Sequence, residues 1–267
     1  MGAKIITVTS GKGGVGKTTT TANLGIAMAK LNKRVVVIDA DIGLRNLDVV
    51  MGLENRIVYD LVDVVEGRCK LRQAMIKHKL FPDLYLIPAA QTRDKTAISP
   101  SDMVQIANQL RKEFDFIFID SPAGIERGFR NALAPADEVL IVTNPEVSAV
   151  RDADRIIGLI EAAKKGPARL ILNRMKINMV KRGEMLSPED VTDILAIGII
   201  GIVPEDEAVV PASNTGVPVT LNENSRAGLA FTNIARRLNG ENVPLMSLEN
   251  SGGFLQRISR LFAGKSG

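Results

Sequence analysis

Gly11-Lys12-Gly13-Gly14-Val15-Gly16-Lys17-Thr18 lies between two stretches of different pattern. Before it, Lys4-Ile5-Ile6-Thr7-Val8-Thr9 is an apolar, β-branched run of strand length. After it, Lys17 through Asn23 to Lys30 reads as a helix. The eight residues fit G-x-x-x-x-G-K-[ST], and the strand–loop–helix setting gives that pattern a mechanism. Glycines let the backbone curl until its N–H groups point at phosphate oxygens, and the helix N-terminus adds partial positive charge. Lys17 then reaches the β/γ-phosphates and the Thr18 hydroxyl ligates Mg²⁺. The predicted nucleotide-binding loop is Gly11, Lys12, Gly13, Gly14, Val15, Gly16, Lys17, Thr18 and Thr19. A glycine-rich turn with a chance Lys-Thr would not explain both flanks.

Outward from the loop, apolar strands alternate with helices. Arg34 to Ile38, Leu84 to Pro88, Phe114 to Ile119, Glu138 to Thr143, Leu170 to Asn173 and Ile197 to Val203 read as strands. Helices are predicted over Tyr59 to Lys77 (interrupted at Gly67), from Ser99 to Arg111, Ser148 to Lys165, from Ser187, and Arg226 to Leu238. The pattern implies an α/β fold: a doubly wound, mostly parallel sheet flanked by helices, of the P-loop NTPase type. Ligands of such sheets sit at the carboxyl ends of the strands. The loop, Asp39 with Asp41, Asp120 and Asn173 all follow strand ends.

The 267 residues are 45% apolar, enough for one buried core spanning 1–238. The net charge of +4 is too mild to indicate nucleic acid. One cysteine, Cys69, rules out a disulfide within the chain and suits a reducing compartment. One histidine, His78, stands in a charged stretch and is expected at the surface. No apolar run reaches the roughly 18–20 residues of a membrane-spanning helix, and no signal peptide is expected.

Mg²⁺ carrying nucleotide phosphates needs oxygen ligands near Thr18. Asp120 closes an apolar strand and suits that role, or it is a turn or capping residue. Asp39 and Asp41 alternate on an extended chain, so both can face the nucleotide, one near Mg²⁺ and one toward an attacking water. Ser121 and Pro122 follow Asp120 where many motor ATPases carry a Glu base, which favours Asp41 as the acid that orients water. Asn173 is either a turn residue or a reader of the adenine edge.

Lys12 is a second lysine that an ordinary phosphate loop does not need; it is a solvated charge or a group aimed at another subunit's phosphate. The pattern Lys12-Gly13-Gly14-Val15-Gly16-Lys17-Thr18 resembles the deviant Walker A motif of the MinD/ParA ATPases. Asp39 to Asp48 and Asp120 to Glu126 are similar to the switch I and switch II segments of the MinD family. The likeness runs from Lys4 almost to the C-terminus. It implies an ATP hydrolase using ATP and Mg²⁺, with Lys12, Lys17 and Asp41 catalytic and Thr18, Asp39 and Asp120 around the metal. In this reading Lys12 crosses the interface of an ATP-bound homodimer. Asn173, Arg174, Pro204, Glu205 and Asp206 would then recognise adenine. Asp152 and Asp154, otherwise an acidic first helical turn, would help bind the division inhibitor MinC, and MinE, where present, would stimulate hydrolysis. The implied setting is cytoplasmic, on the inner face of the cell membrane, or the stroma for a plastid protein.

Residues 239–253 read as a flexible linker and 254–264 as a membrane-targeting amphipathic segment. At about 100° per residue, Phe254, Leu255, Ile258, Leu261 and Phe262 share an arc of about 120°, with Arg257 and Arg260 on the other side. An apolar wedge with a basic face suits an anionic membrane; an ordinary terminal helix docked on the core is the alternative. Nine or so residues bind lipid weakly, so two copies in a dimer would gain about 10²–10⁴ in avidity.

Relatives with other functions share the loop. A redox ATPase like the nitrogenase iron protein needs more cysteines than Cys69. A ParA-type partitioning ATPase would bind DNA and has no reason for the tail. A flagellar-number ATPase of the FlhG type has such a tail, but its N-terminal extension is not seen before Lys4. No signal for a phosphotransferase acceptor pocket stands out.

Overall fold

The structure, a computed structural model, describes residues 2–245. The expected tail, 254–264, and residues 246–253 of the expected linker lie outside the described residues.

The chain runs β1 (Lys4–Thr9), α1 (Lys17–Lys30), β2 (Val35–Asp39), α2 (Leu47–Val50), α3 (Leu61–Val65), α4 (Leu71–Ala74), β3 (Ile76–Lys77) and β4 (Leu84–Ile87). Then follow α5 (Pro100–Leu110), β5 (Phe116–Asp120), α6 (Arg127–Leu133), β6 (Glu138–Thr143), α7 (Val147–Ala162) and β7 (Ala168–Met175). The chain continues through α8 (Ile177–Lys181), α9 (Pro188–Leu195), β8 (Ile199–Pro204), α10 (Val209–Asn214) and α11 (Arg226–Leu238). The eight strands form one sheet in the order β3-β4-β2-β5-β1-β6-β7-β8, parallel except for β3. The expected doubly wound sheet is therefore present.

Both faces are covered, which explains why the strands read as near-continuous apolar runs. On β5, Phe116 and Phe118 join the core beneath α1 and α11, while Ile117 and Ile119 join the core beneath α5. Val139, Ile141, Leu170 and Leu172 pack against α7 and α9. The helix starts read from Ser99 and Ser187 are real: each hydroxyl accepts from the third helical N–H, and the Asp there accepts from the cap N–H.

Three local readings change. Tyr59 to Lys77 holds two short helices and the antiparallel edge strand β3 instead of one interrupted helix. The charged stretch after Asn173 contains α8, and α6 and α10 also went unread. His78 is buried at 7% exposure, against the surface placement expected of it. Its ring packs 5.5 Å from Phe81, and its Nδ1 accepts the Leu80 N–H at 3.2 Å. The edge strand folds it inward although Lys77 and Lys79 flank it. Burial, with Lys79 and Arg56 nearby, lowers its pKa to about 4.

Part of the expected linker is anchored. Arg237 donates to the carbonyls of Val243 at 2.8 Å and Pro244 at 2.5 Å, and Arg236 pairs with Glu241.

Candidate nucleotide site

The site lies where the central strands end. β1 feeds the glycine loop directly into α1. Gly14 and Gly16 have φ of 76° and 103°, a region that favours glycine. A Cβ on Gly16 would stand 2.4 Å from Asn173 Nδ2, so this position also has no room for a side chain. Asn173, on β7 two residues before its end at Met175, donates that Nδ2–H to the Val15 carbonyl at 2.7 Å. The residue read as a base contact thus also fixes the loop's backbone. A Cβ on Gly11 would meet the Asp152 carbonyl at 2.3 Å, so the loop is wedged against α7 as well.

The two lysines of the loop have opposite environments. Lys17 is buried, 8% exposed, and burial lowers its pKa against the opposing pull of Asp120 and Asp41. The Lys12 side chain is 48% exposed, with Glu146 the nearest acid at 4.0 Å. One lysine is enclosed within the fold, and the other faces outward.

β2 and β5 pair so that Asp39 and Asp120 are direct neighbours, each 1% exposed. Desolvation raises Asp120 to about 7, with the Asp39 charge adding to it and the hydroxyls of Thr18 and Thr21 opposing it. Thr21 Oγ1 donates to Asp120 at 3.2 Å. Asp39 rises to about 6, again through burial first. Two facing carboxyls in a dry site, beside the Thr18 hydroxyl, fit a divalent cation held by one or two carboxylates plus phosphate oxygens.

Asp39 has a second duty that the sequence did not suggest. Its Oδ1 accepts the Asp41 N–H at 3.0 Å, and its Oδ2 accepts the N–H groups of Asn46 and Leu47 at 3.2 Å each. The same carboxylate ties down the whole segment from Asp41 to the start of α2. Strand geometry stops at Asp39, so the expected alternation does not carry Asp41 inward. Asp41 stands half-buried on the loop, within electrostatic reach of Lys17.

A cleft of about 640 Å³ opens beside the loop, lined by Asn144, Glu146, Arg174, Lys176, Met179 and Glu205, among others. Arg174 is held at φ 56°, an uncommon value for a side-chain-bearing residue. Glu205 pairs with Lys176 at 2.7 Å, and Pro204 ends β8 beside Met175. Asp206 is used differently from the expectation: its carboxylate accepts from Ala208 N, Ser225 Oγ and Ala227 N, so it ties α10 to the start of α11. On α7, Asp152 pairs loosely with Arg155 at 3.9 Å and Asp154 is exposed.

Thr21, which donates to Asp120, is the site contact the sequence reading passed over. It sits one turn beyond Lys17 and Thr18 on α1, so helical spacing alone carried the signal.

A family model described as an AAA domain matches residues 3–174. The chain is 54% identical over 269 residues to the septum site-determining protein MinD of Bacillus subtilis (strain 168), covering 100% of each. The chain belongs to the MinD family. Its fold matches MinD in a MinC:MinD cell division protein complex of Aquifex aeolicus, with TM-score 0.86 and 51% identity over 92% of this chain and 99% of that one. It also matches the septum site-determining protein MinD of Pyrococcus horikoshii complexed with Mg-ADP, with TM-score 0.80 and 29% identity over 89% and 96%. The chain is thus a P-loop ATPase of division-site placement, and the MinD-family motifs read in switch I and switch II sit together around Lys17. Among the described residues no helix is long and apolar enough to cross a membrane.

Proposed function

We infer that this MinD-family chain is an ATP-driven switch that pairs with a second copy and thereby attaches to a membrane. The carrying observation is the contrast between buried Lys17 and outward Lys12 in one loop. Lys17 and the loop N–H groups bind the β/γ-phosphates of ATP. Asp120 and the Thr18 hydroxyl hold Mg²⁺, with Asp39 beside them. When bound there, Mg²⁺ neutralises charge on the phosphate oxygens during transfer to water. Asp41 orients that water. Asn173, Arg174, Pro204 and Glu205 place the adenine end, with Asp206 shaping the loop behind them. Lys12 completes the partner's site, so ATP favours the homodimer.

Two tails in one dimer then hold an anionic membrane that one tail holds poorly. Phe254, Leu255, Ile258, Leu261 and Phe262 enter the lipid, with Arg257 and Arg260 on its charged surface. Asp152 and Asp154 on α7 contribute to the face that takes MinC, the partner named in the Aquifex aeolicus complex. MinE, where present, accelerates hydrolysis and release. The protein then cycles between cytoplasm and inner membrane face, or works in the stroma of a plastid, with no role for nucleic acid.

Sedimentation with anionic vesicles tests the reading. The full chain should pellet with a non-hydrolysed ATP analogue and stay in solution with ADP. Truncation after Gly252 should abolish pelleting and leave nucleotide affinity nearly unchanged. Equal pelleting in both nucleotides, or pelleting by the truncated chain, would sink the proposal.

A further inference from the structure

Beside Asp41 a second and narrower cleft runs between the two switch segments. Its walls come from the end of β2, the loop after β5, α5 and α6. Ile98, Met103 and Phe129 make it apolar, each 2% exposed or less. Its charged lining residues are both acids, Asp41 and Glu126. The enclosed part is about 30 Å³, room for a few heavy atoms.

Asn131 lies at this cleft and is 4% exposed. Its Nδ2 donates to the Ile98 carbonyl at 2.9 Å, which fixes the carboxamide. Its Oδ1 has no hydrogen-bond partner. A buried acceptor left unmatched costs on the order of 1–3 kcal/mol, so a donor that fits is favoured. Among the residues that line the space, the polar side chains are Asn131 and two carboxylates, Asp41 and Glu126. Such a lining repels phosphates and carboxylates and attracts a donor that carries positive charge. The apolar walls and small volume restrict the stem to a thin hydrocarbon.

We propose that this cleft between the switches is a binding site for a short primary alkylammonium group, which bridges Asp41 and Glu126 and donates to Asn131 Oδ1. An occupant links switch I to switch II. It draws the Asp41 carboxylate toward Glu126 and so slows hydrolysis without displacing ATP. Binding stands on the cleft alone; the effect on turnover rests on the role of Asp41 given above.

The test uses the full chain without nucleotide, titrated with n-butylammonium chloride, n-butanol and sodium butyrate at matched ionic strength. Calorimetry and the Asn131 side-chain amide resonance report binding. The amine should saturate with Kd on the order of 1 mM, as its few heavy atoms allow, while the alcohol and the carboxylate should not saturate. Glu126→Gln, an exposed position, should weaken the amine about threefold or more. Asn131→Leu, which fills the cleft, should abolish binding. Wild-type affinity in both variants, or equal responses to amine and alcohol, overturns the site. In steady-state assays the bound amine should lower kcat and leave the KM for ATP unchanged; saturation with unchanged kcat overturns the regulatory part. Normal turnover by Asp41→Ala would instead overturn the role of Asp41 and leave amine binding standing.

Discussion

Replacing Asp120 by Asn should stabilise the nucleotide-free protein and remove its response to ligand. Asp39 and Asp120 are register partners on adjacent strands, and both are almost fully buried. Burial and mutual repulsion raise Asp120 from 3.8 to about 7. About three pKa units at 1.4 kcal/mol each set a ceiling of about 4 kcal/mol on the cost of ionising it in the folded state. The folded pKa lies above the unfolded one, so the contribution to stability is full below about pH 4 and is lost as pH rises to about 7. Asn carries no charge, and its oxygen still accepts from Thr21. Its amide can also donate toward Asp39. Allowing for imperfect replacement, the gain at pH 7.5 is about 1–2 kcal/mol, or roughly 3–6 °C in Tm for a chain of this size. Scanning calorimetry at pH 5 and pH 7.5, with and without Mg-ADP, reads all of this. The variant should melt higher than wild type at pH 7.5 without ligand, and the difference should shrink at pH 5. Mg-ADP should raise wild type and barely move the variant. A lower ligand-free Tm at pH 7.5, or a difference between the two proteins that does not change with pH, would refute the description of the acid pair.

Further outcomes follow from single contacts. His78→Asn keeps an acceptor near the Nδ1 position and removes the titration; His78 has a folded pKa of about 4, below the unfolded value. Wild type therefore loses stability as pH falls from about 6.5 to 4, by at most about 3 kcal/mol, and urea titrations should show that this slope is absent from the variant. Asn173→Ala should cost about 1–2 kcal/mol by orphaning the Val15 carbonyl, and should weaken nucleotide binding. Gly16→Ala should be worse on wild type than on the Asn173→Ala background, by about 1 kcal/mol, because its Cβ collides with Asn173 Nδ2; strictly additive losses in a double-mutant cycle would contradict that contact. Asp41→Ala should retain ATP binding and slow hydrolysis at least tenfold, read by phosphate release under saturating ATP.

The parts of the site that the sequence announced are those built by neighbours in the chain. β1, the glycine loop and α1 are contiguous, so composition alone carries the strand, the turn and the helix. Asp120 was visible because an apolar run ends on it. The pairing of Asp39 with Asp120 was not visible, because it depends on β5 lying between β1 and β2, a contact across some 80 residues. His78 misled for a related reason: Lys77 and Lys79 advertise solvent, while the antiparallel turn that buries the ring is made with β4. Asp206 shows the limit of a motif. It was read as part of a base-recognising segment, and its carboxylate is committed to α10 and α11.

Asp39 shows how the local and the long-range parts of the site are joined. Its two oxygens already receive three backbone N–H groups, all from the segment between Asp41 and Leu47. Among the described residues, the carboxylate of its strand partner Asp120 receives hydroxyl donors, from Thr18 and Thr21. Hydroxyls rotate and can turn a lone pair toward a cation, whereas peptide N–H groups cannot. A cation between the strands is therefore better held by Asp120 and Thr18, and it acts on Asp39 through charge. That charge offsets the burial that chiefly raises both acids, so it favours the ionised Asp39 and strengthens its three N–H bonds. Binding at the metal position would in this way tighten the loop that carries Asp41. The acid proposed to orient water would thus be held most firmly when there is a phosphate to attack.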